Sequence, residues 1–284
     1  MQITDNYQEQ LLTLYQNKNL LNKTEHEPTT MPLHQNCERA SKCWQSIPED
    51  RYPKSESHCN RITLPWVGGD YRTSRVLVIG ENFYEMGGLN ACTDLVNDAM
   101  NLMIRDNKKR IFGGGKTSTG KTYGGTFFYY RMAHYSGALV RFLETGNSIP
   151  DFSEFTEPNR IARYFDNIAY TNHIKCSPLG NRSRMSAEMW SQCGKHILSE
   201  EIEILEPKWI IVLGKANNAY YLKQFVSNLG RRCDGAVSGF VGEIRKKSVN
   251  ILVVPHPSYF RYKVAEVATA LVDAASAVAL VSGS

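Results

Sequence analysis

The chain has 284 residues, 42% of them hydrophobic, which is enough for one large α/β domain with a full core or, less favourably, two small ones. Its net charge of +5 excludes a self-repelling acidic chain and permits, without requiring, a polyanionic partner. Seven cysteines in a chain that opens MQITDNYQEQ, with no basic-then-apolar leader, point to a cytoplasmic protein whose thiols hold a metal or cluster or stay free, rather than to disulfides.

In chain order, residues 7–21 read as a helix that Leu11, Leu12, Leu14, Tyr15, Leu20 and Leu21 could dock on a core, followed by a polar tether. Residues 31–60 carry Cys37, Cys43 and Cys59 with Pro48 and Pro53 between them, a composition for loops held by a metal rather than for regular structure. Four short, β-branched, unalternating runs follow, at 75–79, 168–170, 209–213 and 251–254, as expected of strands covered on both faces. Helical patterns separate them at about 95–104, 129–144, 187–205 and 216–229. The alternation predicts a three-layer α/β/α fold with a central, mostly parallel four-stranded sheet. The apolar stretch 264–281 raises the membrane question, but Glu266, Asp273 and its many alanines predict a docked C-terminal helix.

The most informative stretch is 168–193, IAYTNHIKCSPLGNRSRMSAEMWSQC. An apolar strand ends at Thr171-Asn172, a turn carries Lys175-Cys176-Ser177-Pro178, and Ser186 is placed to cap a helix with Glu188 in its first turn. On that helix Met189, Cys193 and Ile197 share one apolar face, so Cys193 points back toward the Cys176 turn. Two inward thiols on one strand–turn–helix unit look like half of a metal or cluster site. Independently, the residues that follow the apolar runs include Gly80-Glu81, Thr171-Asn172, Gly214-Lys215 and Pro255-His256. Ligands bind at the carboxyl ends of strands in open α/β sheets, so topology alone can bring Glu81, Asn172 and His256 to one cleft.

TNHIKCSPLGNR with a cysteine on the next helix resembles the iron–sulfur branch of the uracil-DNA glycosylase superfamily, the family 4 and family 5 type. Val78-Ile79-Gly80-Glu81 resembles the start of that family's first motif and His256-Pro257-Ser258-Tyr259 its last, and the matching blocks lie in order over roughly 59–262. The resemblance implies a 4Fe–4S cluster, with Cys176 and Cys193 in the family's last two ligand positions and Cys59 and Cys43 as the first two, Cys37 being the substitute for Cys43. The family's close cysteine pair is replaced here by wider spacing, and zinc or buried thiols are the competing readings. Cys92 and Cys233 are read as ordinary thiols.

The resemblance further implies excision of a base from DNA, leaving an abasic site and a free base. Cleavage puts positive character on the sugar and negative charge on the base, so donors belong at the base and an acid near the sugar or water. His256 is then the donor to the departing base, Asn172 the reader of its edge, and Glu81, with Glu85 as alternate, the acid. Phe127 or Phe128 would stack on the extruded base, with Asn82 also beside it. Tyr259 with Phe260 and Arg261 would wedge the duplex, and Ser258, Arg182, Lys116 and Lys121 would meet phosphates. Each has a plainer alternative as a cap, a loop carboxylate or a core side chain.

Departures from the family bear on the substrate. Its first motif continues Ala-Pro-Gly, whereas here Asn82-Phe83-Tyr84 follows, and a long insertion at about 86–126 carries Lys108-Lys109-Arg110 and a glycine run. A pocket rebuilt in this way would suit uracil or a bulkier pyrimidine, such as a hydroxymethylated or glycosylated phage base, and hence repair or antiviral defence. Gly115 to Thr122 fits the phosphate-loop pattern GxxxxGK[ST], but the charged segment before it makes no buried strand, so flexible contact to DNA phosphates is the better reading. The rival classes are a base-binding protein without turnover and an electron-transfer protein. The expected organisation is 1–60, a helix and cysteine-bearing loops, packed on 61–284, a single glycosylase-like domain, acting as a monomer on DNA with no membrane association.

Overall fold

The computed structural model describes residues 5–20, 37–46, 65–81, 125–146, 164–175, 186–214, 222–257 and 262–282. Its elements in chain order are α1 (Asp5–Asn17), α2 (Ala40–Gln45), β1 (Trp66–Val67), α3 (Tyr71–Ser74), β2 (Val76–Gly80), α4 (Gly125–Thr145) and β3 (Ile168–Asn172). There follow α5 (Ala187–Cys193), a π-helical turn (Gly194–Leu198), α6 (Ser199–Leu205), β4 (Trp209–Leu213), β5 (Ser227–Cys233), β6 (Ser238–Ile244), β7 (Lys247–Val254) and α7 (Val264–Ser282).

The strands form one sheet in the order β1-β3-β2-β4-β7-β6-β5. Its centre is the parallel quartet β3-β2-β4-β7, built from the four apolar runs, with registers such as Gly80 opposite Asn172 and Leu213 opposite Val254. The quartet is buried along nearly its whole length, which is why these runs do not alternate. The expectation of a four-stranded sheet is corrected by three antiparallel additions. The two-residue β1 pairs with β3, and the β5–β6 hairpin continues the sheet beyond β7. β1 is too short to show a period. β5 is half exposed and broken by two register shifts, so neither apolar signal reaches it. The expected helix at 216–229 is likewise corrected at its end, because Ser227 to Leu229 belong to the strand β5. The segment 95–104, the insertion 86–126 apart from the start of α4, and the phosphate-loop-like stretch lie outside the described residues.

Alternate residues of the quartet enter two cores. Val76, Val78, Ile168, Tyr170, Ile211 and Val254 pack with α4 and α7. Leu77, Ile79, Ala169, Ile210, Val212 and Ile251 pack on the other face with Leu11 of α1, Tyr71, and Ile202 and Leu205 of α6. The layers are therefore helix, sheet, helix. The late apolar stretch is α7, docked on α4 and on β6 and β7, and among the described residues no helix is long and apolar enough to cross a membrane. The N-terminal helix is shorter than its pattern, ending at Asn17, but Leu11, Leu14, Tyr15 and Leu20 are all buried.

Candidate active site at the carboxyl edge of the sheet

Because β3, β2, β4 and β7 are parallel, their carboxyl ends share one edge. β3 ends on Asn172, Glu81 follows β2, Gly214 follows β4, and His256 stands two residues beyond β7. The strand ends are tied together. His173 N–H donates to Gly80 O at 2.9 Å, Ile174 N–H to Glu81 O at 3.1 Å, and Gly214 N–H to Val254 O at 2.8 Å. The strands that lead to Asn172 and His256, β3 and β7, are separated by β2 and β4 and so run about 14 Å apart at ordinary strand spacing.

Asn172 is 1% exposed. Its Oδ1 accepts from the Tyr170 hydroxyl at 3.0 Å, which fixes the way the carboxamide points, while Nδ2 is buried without a hydrogen-bond partner among the described residues. Such a buried donor is costly unless something meets it. Gly80 lies directly opposite in register, and a Cβ there would stand 2.4 Å from Asn172 Oδ1 and 2.7 Å from the Tyr170 hydroxyl. The close approach of two strands thus depends on glycine. This use of Gly80 is not legible without the register.

Glu81 is half-buried, and that desolvation holds its carboxyl above the usual carboxylate range. His256 is pushed down to about 4 by burial, so its ring is neutral near pH 7. Phe127 and Phe128 stand in the first turn of α4. Asn82, Lys116, Lys121, Arg182, Ser258, Tyr259 and Arg261 lie outside the described residues, as does Glu85. The β5–β6 hairpin adds a feature absent from the sequence reading. Its tip, Asp234 to Val237, lies beside the end of β7, with exposed Arg231 and Arg232 leading into it. Arg231 pairs with Asp234 at 3.0 Å, and Asp234 Oδ1 accepts from Gly235 N–H and the Ser238 hydroxyl. The Asp234-Gly235 dipeptide was the available turn signal. A cavity lined by residues including Ile202, Glu206 and Lys247 opens at the opposite, amino edge, away from these groups.

The thiols gather under α5. Ser186 caps this helix as its sequence predicts, accepting from Met189 N–H, and Ser186 Oγ also meets Ser46 Oγ at 2.7 Å, fastening α2 to α5. Cys43 and Cys193 are buried in one apolar cluster with Leu14, Ile174, Met189 and Ile197, and Cys37 packs against it. Burial pushes the Cys43 thiol up to about 12, with further contributions from the neighbouring Cys193, Cys37 and Glu188. Among the described residues no three such side chains are drawn together closely enough to hold a metal ion. Cys59 and Cys176 are outside them, Cys176 lying two residues past Ile174 of the same cluster.

The π-helical turn, closed by Ser199 N–H to Gly194 O, begins beside a crowded contact. His173 Nε2 meets Trp190 O at 2.9 Å, its ring packs edge-on to Trp190, and Gly194 N–H turns to both Ser191 O and Trp190 O. A Cβ on Gly194 would stand 2.8 Å from His173 Nε2. Gly194→Ala is therefore expected to destabilise the fold by about 1–3 kcal/mol, read as an earlier urea midpoint. An unchanged midpoint would show that the ring can give way freely.

A family model described as the uracil DNA glycosylase superfamily matches residues 99–275, more than half of the chain. The chain belongs to the uracil DNA glycosylase superfamily. The matched span includes Asn172, Cys176, Cys193 and His256, while Glu81, Cys37, Cys43 and Cys59 precede it. No curated protein matches the chain. Superfamily members are in general DNA glycosylases, hydrolases that act on DNA, and the sheet edge described above is where such chemistry belongs in an open α/β fold.

Proposed function

We propose that this chain is a DNA glycosylase that extrudes an abnormal or modified pyrimidine from DNA and hydrolyses its N-glycosidic bond. The observation that carries the reading is the buried carboxamide of Asn172, its oxygen held by Tyr170 and its nitrogen unanswered among the described residues, in a chain of this superfamily. With Oδ1 pinned as an acceptor, Nδ2 is left to donate to a carbonyl oxygen, and the second lone pair of Oδ1 can take a ring N–H. That pair of partners matches the edge of uracil or a 5-substituted uracil and mismatches the edge of cytosine. His256, kept neutral by burial, donates to the base oxygen as negative charge develops there. Glu81 faces the sugar or the attacking water, and its raised pKa makes the rate climb with pH through and above the usual carboxylate range. The altered first motif and the insertion 86–126 favour a pyrimidine larger than uracil, as in modified phage DNA, with the residues at 116, 121, 182, 258, 259 and 261 on the DNA side.

A 4Fe–4S cluster belongs to the same reading. Cys37 and Cys43 adjoin Cys193 in one apolar pocket, a donor set suited to soft iron rather than to hard cations. We propose Cys43, Cys59, Cys176 and Cys193 as the ligands, with Cys37 as the substitute for Cys43. Bound there, the cluster would supply iron–thiolate bonds that fasten α2 and α5 to the turn after β3. Iron and sulfide should be present in the purified protein, and Cys43→Ser and Cys193→Ser should each lose its visible absorbance. A colourless, iron-free and fully active protein would remove this part.

The deciding experiment offers the protein single- and double-stranded oligonucleotides carrying uracil, 5-hydroxymethyluracil or a glycosylated pyrimidine, and identifies any released base by mass. Release from at least one is expected, with Asn172→Ala and His256→Ala each slower by about 10²–10³-fold. No free base and no abasic site from any substrate would overturn the proposal.

A further inference from the structure

We infer that Lys175 is a positioning residue, the cation of a buried brace that holds the base-reading end of β3 in place from the N-terminal helix. Its Nζ lies 2.5 Å from Glu201 Oε2 and 2.7 Å from Thr171 Oγ1. Thr171 Oγ1 in turn donates to the same Oε2 at 2.9 Å, and the Tyr15 hydroxyl donates to Oε1 at 2.5 Å. Lys175 is 2% exposed and Glu201 fully buried. Both carboxylate oxygens are thus engaged, by three side chains from α1, β3 and the turn after β3, while the carboxylate itself stands on α6.

A buried ion pair is a poor device for stability alone, since two desolvated charges seldom outdo a packed apolar pair of the same volume. What this one provides is position. Thr171 precedes Asn172, and Lys175 follows it by three residues, so one carboxylate grips the backbone on both sides of the base reader. Past the end of β3 the main chain is tied across by His173 N–H to Gly80 O and Ile174 N–H to Glu81 O. Loss of the brace would free residues 171–175 to shift, carrying Asn172 away from the base. The tie to Tyr15 makes α1 part of the site's scaffold.

The inference rests on Asn172 being the base reader, so its test includes a readout that needs no substrate. The variant is Lys175→Met with Glu201→Gln, which removes both charges, keeps the volume and leaves an amide to bond Tyr15 and Thr171. Backbone amide exchange at His173 and Ile174 is followed by NMR, beside base release under saturating oligonucleotide. Expected are exchange faster by at least about 10-fold at those two amides, with β4 amides unchanged, and a kcat lower by about 10²-fold with KM within about threefold. Wild-type exchange and wild-type kcat in a folded double variant would overturn the brace. Should that variant not fold, Tyr15→Phe carries the test, with faster exchange at His173 and Ile174 supporting the brace and unaltered exchange overturning it. If the wild-type protein releases no base, the glycosylase reading falls, while the exchange result still decides the brace.

Discussion

Gly80→Ala is expected to cut base release by about 10²-fold or more while leaving the sheet folded. The added Cβ would fall 2.4 Å from Asn172 Oδ1, 2.7 Å from the Tyr170 hydroxyl and 3.4 Å from Tyr170 Cε2. Real Cβ atoms essentially never show the first two distances, so one of these two buried neighbours, each 1% exposed, must shift. The bond between Asn172 and Tyr170 breaks with that shift, at a stability cost of about 1–3 kcal/mol. Single-turnover base release beside a thermal melt separates the two effects. A variant with the wild-type rate would mean that Asn172 does not read the base.

Mild acid is expected to weaken the fold progressively as pH falls below 6.5. Burial lowers both His134 and His173 from 6.5 to about 3, and they are 1% and 0% exposed. A histidine whose pKa falls on folding binds fewer protons in the native chain than in the unfolded one. Stability is therefore unaffected above pH 6.5 and declines as pH drops below it, until the folded pKa is reached. Two units below the unfolded value the two rings together cost on the order of several kcal/mol, a large part of ordinary domain stability. Glu81, whose pKa moves upward, offsets a little of this because its native form takes up a proton earlier. Urea denaturation between pH 7.5 and about 4.5 checks the slope. A stability flat across that window would show that these imidazoles are hydrated.

What could be read from the sequence and what could not divides along physical lines. The parallel quartet was legible because strands covered on both faces have to be continuous apolar runs. The β5–β6 hairpin was not, because its glycines read as breakers although they are packing sites. A Cβ on Gly239 would meet Cys233 Sγ at 2.7 Å and Val278 Cγ2 at 2.8 Å, and one on Gly242 would meet Val226 Cγ1 at 2.3 Å. Glu81, Asn172 and His256 could be named because strand ends follow from topology. The Gly80 contact needed register, which no run of residues specifies, whereas the Tyr170–Asn172 bond joins two residues on one face of one strand. Lys175 and Glu201 are the sharpest case. Charges in a turn and in the helix SEEIEIL look like a solvated surface, yet these two are buried against each other. The grouping of Cys37 with Cys43 and Cys193 likewise depends on α2 docking on α5, a contact between segments more than a hundred residues apart.

Of the sheet's two borders, β1 and β5, the longer is β5, and its construction bears on how copies of the molecule meet. β5 carries register shifts after Ser227 and after Arg231, with Asn228 at φ 52° and arginines at 231 and 232 turned to water. A kinked, cationic border offers no straight ladder of amides for another chain to anneal to. A crowded solution of this protein is thereby steered away from strand-on-strand polymerisation, even though seven strands lie within one continuous sheet among the described residues.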